Sequence, residues 1–142
     1  MTFDKFTIKA QEVVQEAVNS AQMNGQQTIE PVHLLKGVFV KAKDVASFIF
    51  QKLGVNASQI EMLADQEIKH LPRVQGGQPY LSNDTNKVLT KAMEQAKKMG
   101  DEFVSVEPIL LALLSESSTA SRILKDAGCT ENEMLKAIQE LR

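Results

Sequence analysis

A single cysteine, Cys129, is the only thiol in these 142 residues. No internal disulfide can form, which agrees with a reducing compartment. Lysine and arginine never run longer than the Lys97-Lys98 pair, and 16 basic against 18 acidic residues leave a formal charge of −2. So weak a net field offers no electrostatic footprint for phosphate backbones or anionic lipid. None of the seven glycines precedes a lysine, so there is no Gly-x4-Gly-Lys-Ser/Thr phosphate loop, and no Gly-x-Gly-x-x-Gly turn occurs. The chain by itself is not expected to hydrolyse nucleotide. The opening Met1 to Ala10 mixes charged with apolar residues and has no seven-residue apolar core. That argues against a signal peptide or membrane span and makes the cytoplasm the default expectation.

What the chain does contain is one helical unit written twice, about seventy-five residues apart. Val13 falls on Val88, Ala17 on Ala92, Ala21 on Ala96, Gly25 on Gly100 and Leu35 on Leu110; Phe6/Leu81, Thr7/Ser82, Val14/Leu89, Ile29/Val104 and Leu34/Ile109 share that register. After a one-residue shift the match resumes with Ala46/Ala120, Ile49/Ile123, Gly54/Gly128 and Asn56/Thr130. These positions build helices and end them. Ala10, Val13, Val14, Ala17, Val18 and Ala21 follow the i, i+3, i+4, i+7 template, and Thr85, Val88, Leu89, Ala92, Met93 and Ala96 repeat it. Gly25 and Gly100 stand where left-handed caps belong. Short helices are predicted over 31–40, with Pro31 in the first turn, and 106–115, capped by Ser105. Third helices over 44–53 and 118–127 stop at glycines, and Asn56 with Gln59 and Thr130 with Glu133 open fourth helices as capping boxes. The prediction is all-α: eight helices as two pseudo-symmetric four-helix repeats.

Residues 1–70 make repeat one, 71–80 a connector and 81–142 repeat two. Pro72 and Pro79 exclude a continuing helix, and Gly76-Gly77 suggests a flexible crossing. A chain near 150 residues buries roughly 68–70% of its unfolded surface, enough for one core, whereas seventy-residue halves sit near the lower limit. One domain with a shared interface is expected. Such a duplicated bundle offers grooves more readily than an asymmetric catalytic constellation.

Residues able to carry chemistry are few. His33 and His70 have no Cys or carboxylate at zinc-site spacing and read as surface or helix-packing residues. Cys129 follows Gly128, aligns with Val55 and reads as a small hydrophobe, with no histidine near it in sequence to activate it. Met93 fits a core stripe.

Three separated motifs resemble one family. They are Phe3-Asp4-Lys5-Phe6-Thr7-Ile8-Lys9-Ala10, Ile29-Glu30-Pro31-Val32-His33-Leu34-Leu35, and Leu71-Pro72-Arg73-Val74 leading to Gln78-Pro79-Tyr80-Leu81-Ser82. Together they resemble the N-terminal domain of the Clp AAA+ chaperones over essentially the whole chain, and the connector is similar to that of the ClpB disaggregase branch. The resemblance implies the first domain of a longer homohexameric ATPase, whose ATP and Mg belong to modules outside this sequence and which can work with the DnaK system. It implies no cofactor or catalytic residue here, and capture of unfolded or aggregated polypeptide for delivery to a central pore.

The resemblance also carries over three polar positions linked to substrate handling: Thr7, Asp101 and Glu107. Each has a structural reading beside it. Thr7 can cap the first helix, Asp101 can serve a turn beyond Gly100, and Glu107 can face the positive end of a helix dipole. Capture of unfamiliar sequences calls for exposed aliphatic side chains in a shallow groove with a polar rim. Leu89, Pro108 and Ile109 are the candidates for its wall. Leu89 and Ile109 align with apolar Val14 and Leu34, which favours the core, while Pro108 stands opposite His33 and breaks the symmetry.

A second reading follows the ClpA and ClpC relatives, whose domains dock adaptors or, in ClpC, phosphorylated arginine through a glutamate in each copy. Here Glu107 is matched by Val32, which removes half of the charge-assisted bonding to a guanidinium. A stand-alone hydrolase or metal enzyme is a third reading, and no nucleophile–base or ligand set supports it.

Overall fold

A computed structural model describes residues 2–142; Met1, the first residue of the opening segment read above, lies outside them. In order come α1 (Ile8–Met23), β1 (Thr28–Ile29), α2 (Pro31–Lys41), α3 (Lys43–Leu53), α4 (Ala57–His70), β2 (Tyr80–Leu81), α5 (Asn83–Lys98), α6 (Val106–Ser115), α7 (Thr119–Asp126) and α8 (Glu131–Leu141). The fold is all-α, with two strands of two residues each.

Local chemistry explains the helices. Thr7 Oγ1 accepts from Ala10 N at 3.1 Å, and Ser82 Oγ from Thr85 N at 3.0 Å, so equivalent caps open α1 and α5. Gly25 and Gly100 take φ of +68° and +79°, a region that β-carbons disfavour. That turn lets Gln26 N reach Ala21 O at 2.8 Å and Asp101 N reach Ala96 O at 2.9 Å, closing both helices in one manner. Pro31 opens α2 as predicted. Ser105 stands at the N-cap of α6 but makes no cap bond; its hydroxyl is turned to Arg142 instead. Asn56 and Thr130 cap through the N–H of Gln59 and Glu133, but neither predicted box closes: the Glu133 carboxylate accepts from the Thr130 hydroxyl rather than from its backbone N–H, and the full boxes form instead at Glu30/His33 and Ser118/Ser121.

The repeats are interlocked by an exchange of backbone. Phe6 bridges Val104, with Thr7 N donating to Val104 O at 2.9 Å and Val104 N to Lys5 O at 2.7 Å. The equivalent contact is the parallel β1–β2 pair, where Ser82 N donates to Ile29 O at 3.1 Å. Each repeat's entry into its first helix thus pairs with the other's post-cap loop. Separating the repeats would orphan those groups. The connector is pinned as well: Val74 N donates to Gly25 O, Tyr80 N to Gln27 O and Gln27 Nε2 to Gln78 O, all at 3.0–3.1 Å. The flexible crossing suggested by Gly76-Gly77 is therefore anchored on both sides of the glycines.

One apolar cluster runs through both repeats, with α6 at its centre. Val106 and every residue from Pro108 to Leu114 are buried, the pattern of a helix apolar all round. This corrects the groove expectation. Leu89 and Ile109 are 0% exposed and Pro108 is buried, so these three fill the core and do not wall an open groove. The reason is central placement, because α6 is enclosed and the side of a residue on it that breaks internal symmetry still faces protein.

Candidate functional site

The pseudo-symmetry places two loop junctions on the surface, and their chemistry differs. At the β1–β2 junction, α1 and the connector enclose a groove of about 510 Å³. Half-buried Val18 and Leu81 provide its apolar surface over a floor of buried Val14 and Ile29, with Phe3, Pro79 and Tyr80 also lining it and Gln11, Gln15, Gln22 and Gln78 supplying neutral amides. Among the described residues no charged one lines it, although 24% of the chain is charged. Helical spacing explains this: positions 11, 14, 15, 18 and 22 share one stripe of α1, on which the inner members are aliphatic and the outer ones neutral amides. Tyr80 is 54% exposed, its hydroxyl held by Thr28 Oγ1 at 3.1 Å, so its ring stands at the lip in a defined pose.

The second junction, at Phe6–Val104, gathers the three predicted polar residues. Thr7 lies on the bridge through its bond to Val104, while Asp101 and Glu107 sit on either side of Val104 in the loop and in the first turn of α6. Thr7's side chain is engaged as the α1 cap. Both carboxylates are engaged by a residue that the sequence did not single out. Arg142 Nη1 and Nη2 donate to the two Asp101 oxygens at 2.8 and 2.7 Å, Nε to Glu107 at 3.2 Å and Nη2 to Ser105 Oγ at 3.2 Å. Hydrogen bonding to Asp101 first, and then to Glu107, raises the guanidinium pKa above its ordinary value, so it stays charged. Beside this cup Phe103 is 44% exposed with the Lys5 ammonium 5.6 Å from its ring centre, and Ile8 is 77% exposed.

The remaining candidates are structural. His33 is fully buried: Nδ1 accepts from Glu30 N at 2.8 Å, so Nε2 carries the proton and donates to Gln26 Oε1 at 2.7 Å. Burial lowers its pKa to about 4, and the ring is neutral at physiological pH. Cys129 is buried, and desolvation, with Glu133 nearby, pushes its thiol up to about 11. His70 is exposed and bonds the Gln66 carbonyl. Among the described residues no group of three or more His, Cys, Asp or Glu side chains converges as a metal site, and no buried side-chain polar atom lacks a partner.

Sequence reasoning missed Arg142 and the α1 groove. A signal for the first existed, since Arg142 lies twelve residues past Thr130 as Ile68 lies twelve past Asn56. The groove had only the run of glutamines and aliphatics on one face of α1, which a core reading absorbs.

Relatives share this sequence and architecture. Residues 5–127 match the family described as the Clp repeat (R) N-terminal domain. The chaperone protein ClpB of Bacteroides thetaiotaomicron is 58% identical over 142 residues, covering 100% of this chain and 16% of that protein. ClpB of Porphyromonas gingivalis is 46% identical over the same shares, so the chain spans only 16% of the length of these relatives. Among solved structures, the Hsp104 N-terminal domain from Candida albicans aligns with TM-score 0.81 at 23% identity over 98% of this chain and 92% of that one. The N-terminal domain of ClpD from Arabidopsis thaliana aligns with TM-score 0.74 at 21% identity over 99% and 97%. At those identities the structural likeness concerns the fold. With the family match running over residues 5–127, the chain belongs to the Clp repeat N-terminal domain family.

Proposed function

We propose that the chain is the client-capturing N-terminal domain of a ClpB-type ATP-dependent disaggregase. Unfolded or aggregated polypeptide is held weakly and passed to the AAA+ ring. The observation that carries this reading is the uncharged groove along α1, an apolar strip with a neutral amide rim. Aliphatic surface rewards any exposed hydrophobic segment regardless of its sequence, and the glutamines can bond an extended backbone without selecting side chains. Thr7, Asp101 and Glu107 are proposed as a second contact at the other junction. ATP and Mg would belong to the ATPase modules of the parent, which would be a cytoplasmic homohexamer able to cooperate with DnaK.

Docking of phosphoarginine ranks below this reading, because Val32, the counterpart of Glu107, is 2% exposed and supplies no carboxylate. The test is an NMR titration with a permanently unfolded client, comparing the wild type with Val18→Asp. Saturable shifts along α1 and Tyr80 that the charge weakens about tenfold are expected, since a buried carboxylate in an apolar contact must be desolvated. Equal binding by both proteins, or none by either, would overturn the proposal.

A further inference from the structure

The two repeats tie the end of the fourth helix to the loop after the first, and they do so with opposite chemistry. Gln26 follows Gly25 as Asp101 follows Gly100, and Ile68 and Arg142 occupy equivalent places past Asn56 and Thr130. In repeat one the Gln26 amide donates to the carbonyls of Ile68 and Leu71. Gln26 and Ile68 are each 3% exposed, and His33 holds the other end of the amide. In repeat two the equivalent tie is the fork of Arg142 on Asp101, supported by Glu107 and Ser105, and Pro108 replaces His33. The Arg142 side chain is 34% exposed and that of Asp101 21%.

Opening the first tie would strand neutral polar groups in a dry interior. Opening the second hands charged groups to water that already reaches them, and dissolved salt screens the attraction. We propose that Arg142 is a releasable clasp that masks Asp101 and Glu107: its release frees the last turn of α8 and the loop 100–105 together and presents both carboxylates, beside Phe103, to a client. The clasp stands on geometry alone. Its masking role rests on the client contact proposed above for Asp101 and Glu107.

Two measurements on this chain test the two parts separately. In amide hydrogen exchange, Asp101 and Val104 are expected to exchange about fivefold faster in high salt than in low salt, and fast at both in Arg142→Ala. Gln26 and Ile29, the equivalent amides at the first junction, serve as controls and do not respond. Arg142→Lys, which keeps the charge but loses the fork, falls between. Titration with an unfolded client should show Arg142→Ala binding about threefold or more tightly than wild type, with shifts at Asp101, Phe103 and Glu107. Exchange that ignores both salt and the substitution overturns the clasp. Faster exchange with unchanged client affinity overturns the masking. Absence of client binding to both proteins overturns capture and masking together, while the exchange result still judges the clasp.

Discussion

Arg142 reaches back 41 residues to Asp101 and takes both carboxylate oxygens in a fork, at 2.8 and 2.7 Å. Paired bonds of this geometry are directional as well as ionic, so they set the angle at which α8 meets the loop after α5. In a cycle of Arg142→Ala, Asp101→Asn and the double variant, urea unfolding is expected to give a coupling of about 0.5–1.5 kcal/mol. Purely additive losses would mean that the fork contributes no stability.

Gly37 lies in α2 where a β-carbon would sit 2.5 Å from the backbone oxygen of Val13 in α1. Backbone cannot swing aside as a side-chain tip can, so Gly37→Ala must push the two helices apart. The expected loss is about 1–3 kcal/mol from overpacking, offset in part by about 1 kcal/mol of helix propensity. Thermal unfolding decides it, and an unchanged or raised Tm refutes the close contact.

His33 titrates at about 4 in the fold against an ordinary 6.5. Its folded pKa is depressed, so in the window between these values the unfolded chain binds more protons than the folded one. The contribution is complete above pH 6.5 and disappears as pH falls through 4, for a total of about 2–4 kcal/mol. Urea midpoints of wild type and His33→Gln should therefore converge as pH drops from 7 to 4. A gap that stays constant would show that the ring does not resist protonation.

Cys129 should be nearly inert in the native protein. With its thiol near 11, only about a thousandth is thiolate at pH 8, and the sulfur is shielded as well. Iodoacetamide should label it far more slowly in buffer than in urea, as followed by intact mass. Equal rates would place the thiol at the surface.

Much of the architecture was legible because helices are local. The apolar stripe of α1, the cap at Thr7 and the left-handed turn at Gly100 each depend on residues within one turn of each other, so spacing suffices to find them. The two short strands escaped notice for the opposite reason. Thr28-Ile29 and Tyr80-Leu81 have no alternation of their own and become strands only because each finds the other. Ser105 shows the same limit on a smaller scale, since its hydroxyl had a helix end within reach and went to Arg142.

The site divides similarly. Thr7, Asp101 and Glu107 were reached through the family resemblance, and the Phe6–Val104 bridge brings them to one junction. Of the groove candidates Leu89, Pro108 and Ile109, the alignment with Val14 and Leu34 already favoured the core for Leu89 and Ile109; Pro108 was the one misplaced, because spacing reports which residues share a face but not what covers that face.

The sequence by itself determined eight helices, their ends and their twofold repetition, since hydrophobic period and capping act over a few residues. Tertiary structure alone decided that the repeats exchange backbone pairs, that one junction is an uncharged groove and the other an ionic cup, and that Arg142 occupies the cup. Those outcomes depend on which distant side chains meet and how much water remains between them, and nothing in a local pattern encodes either.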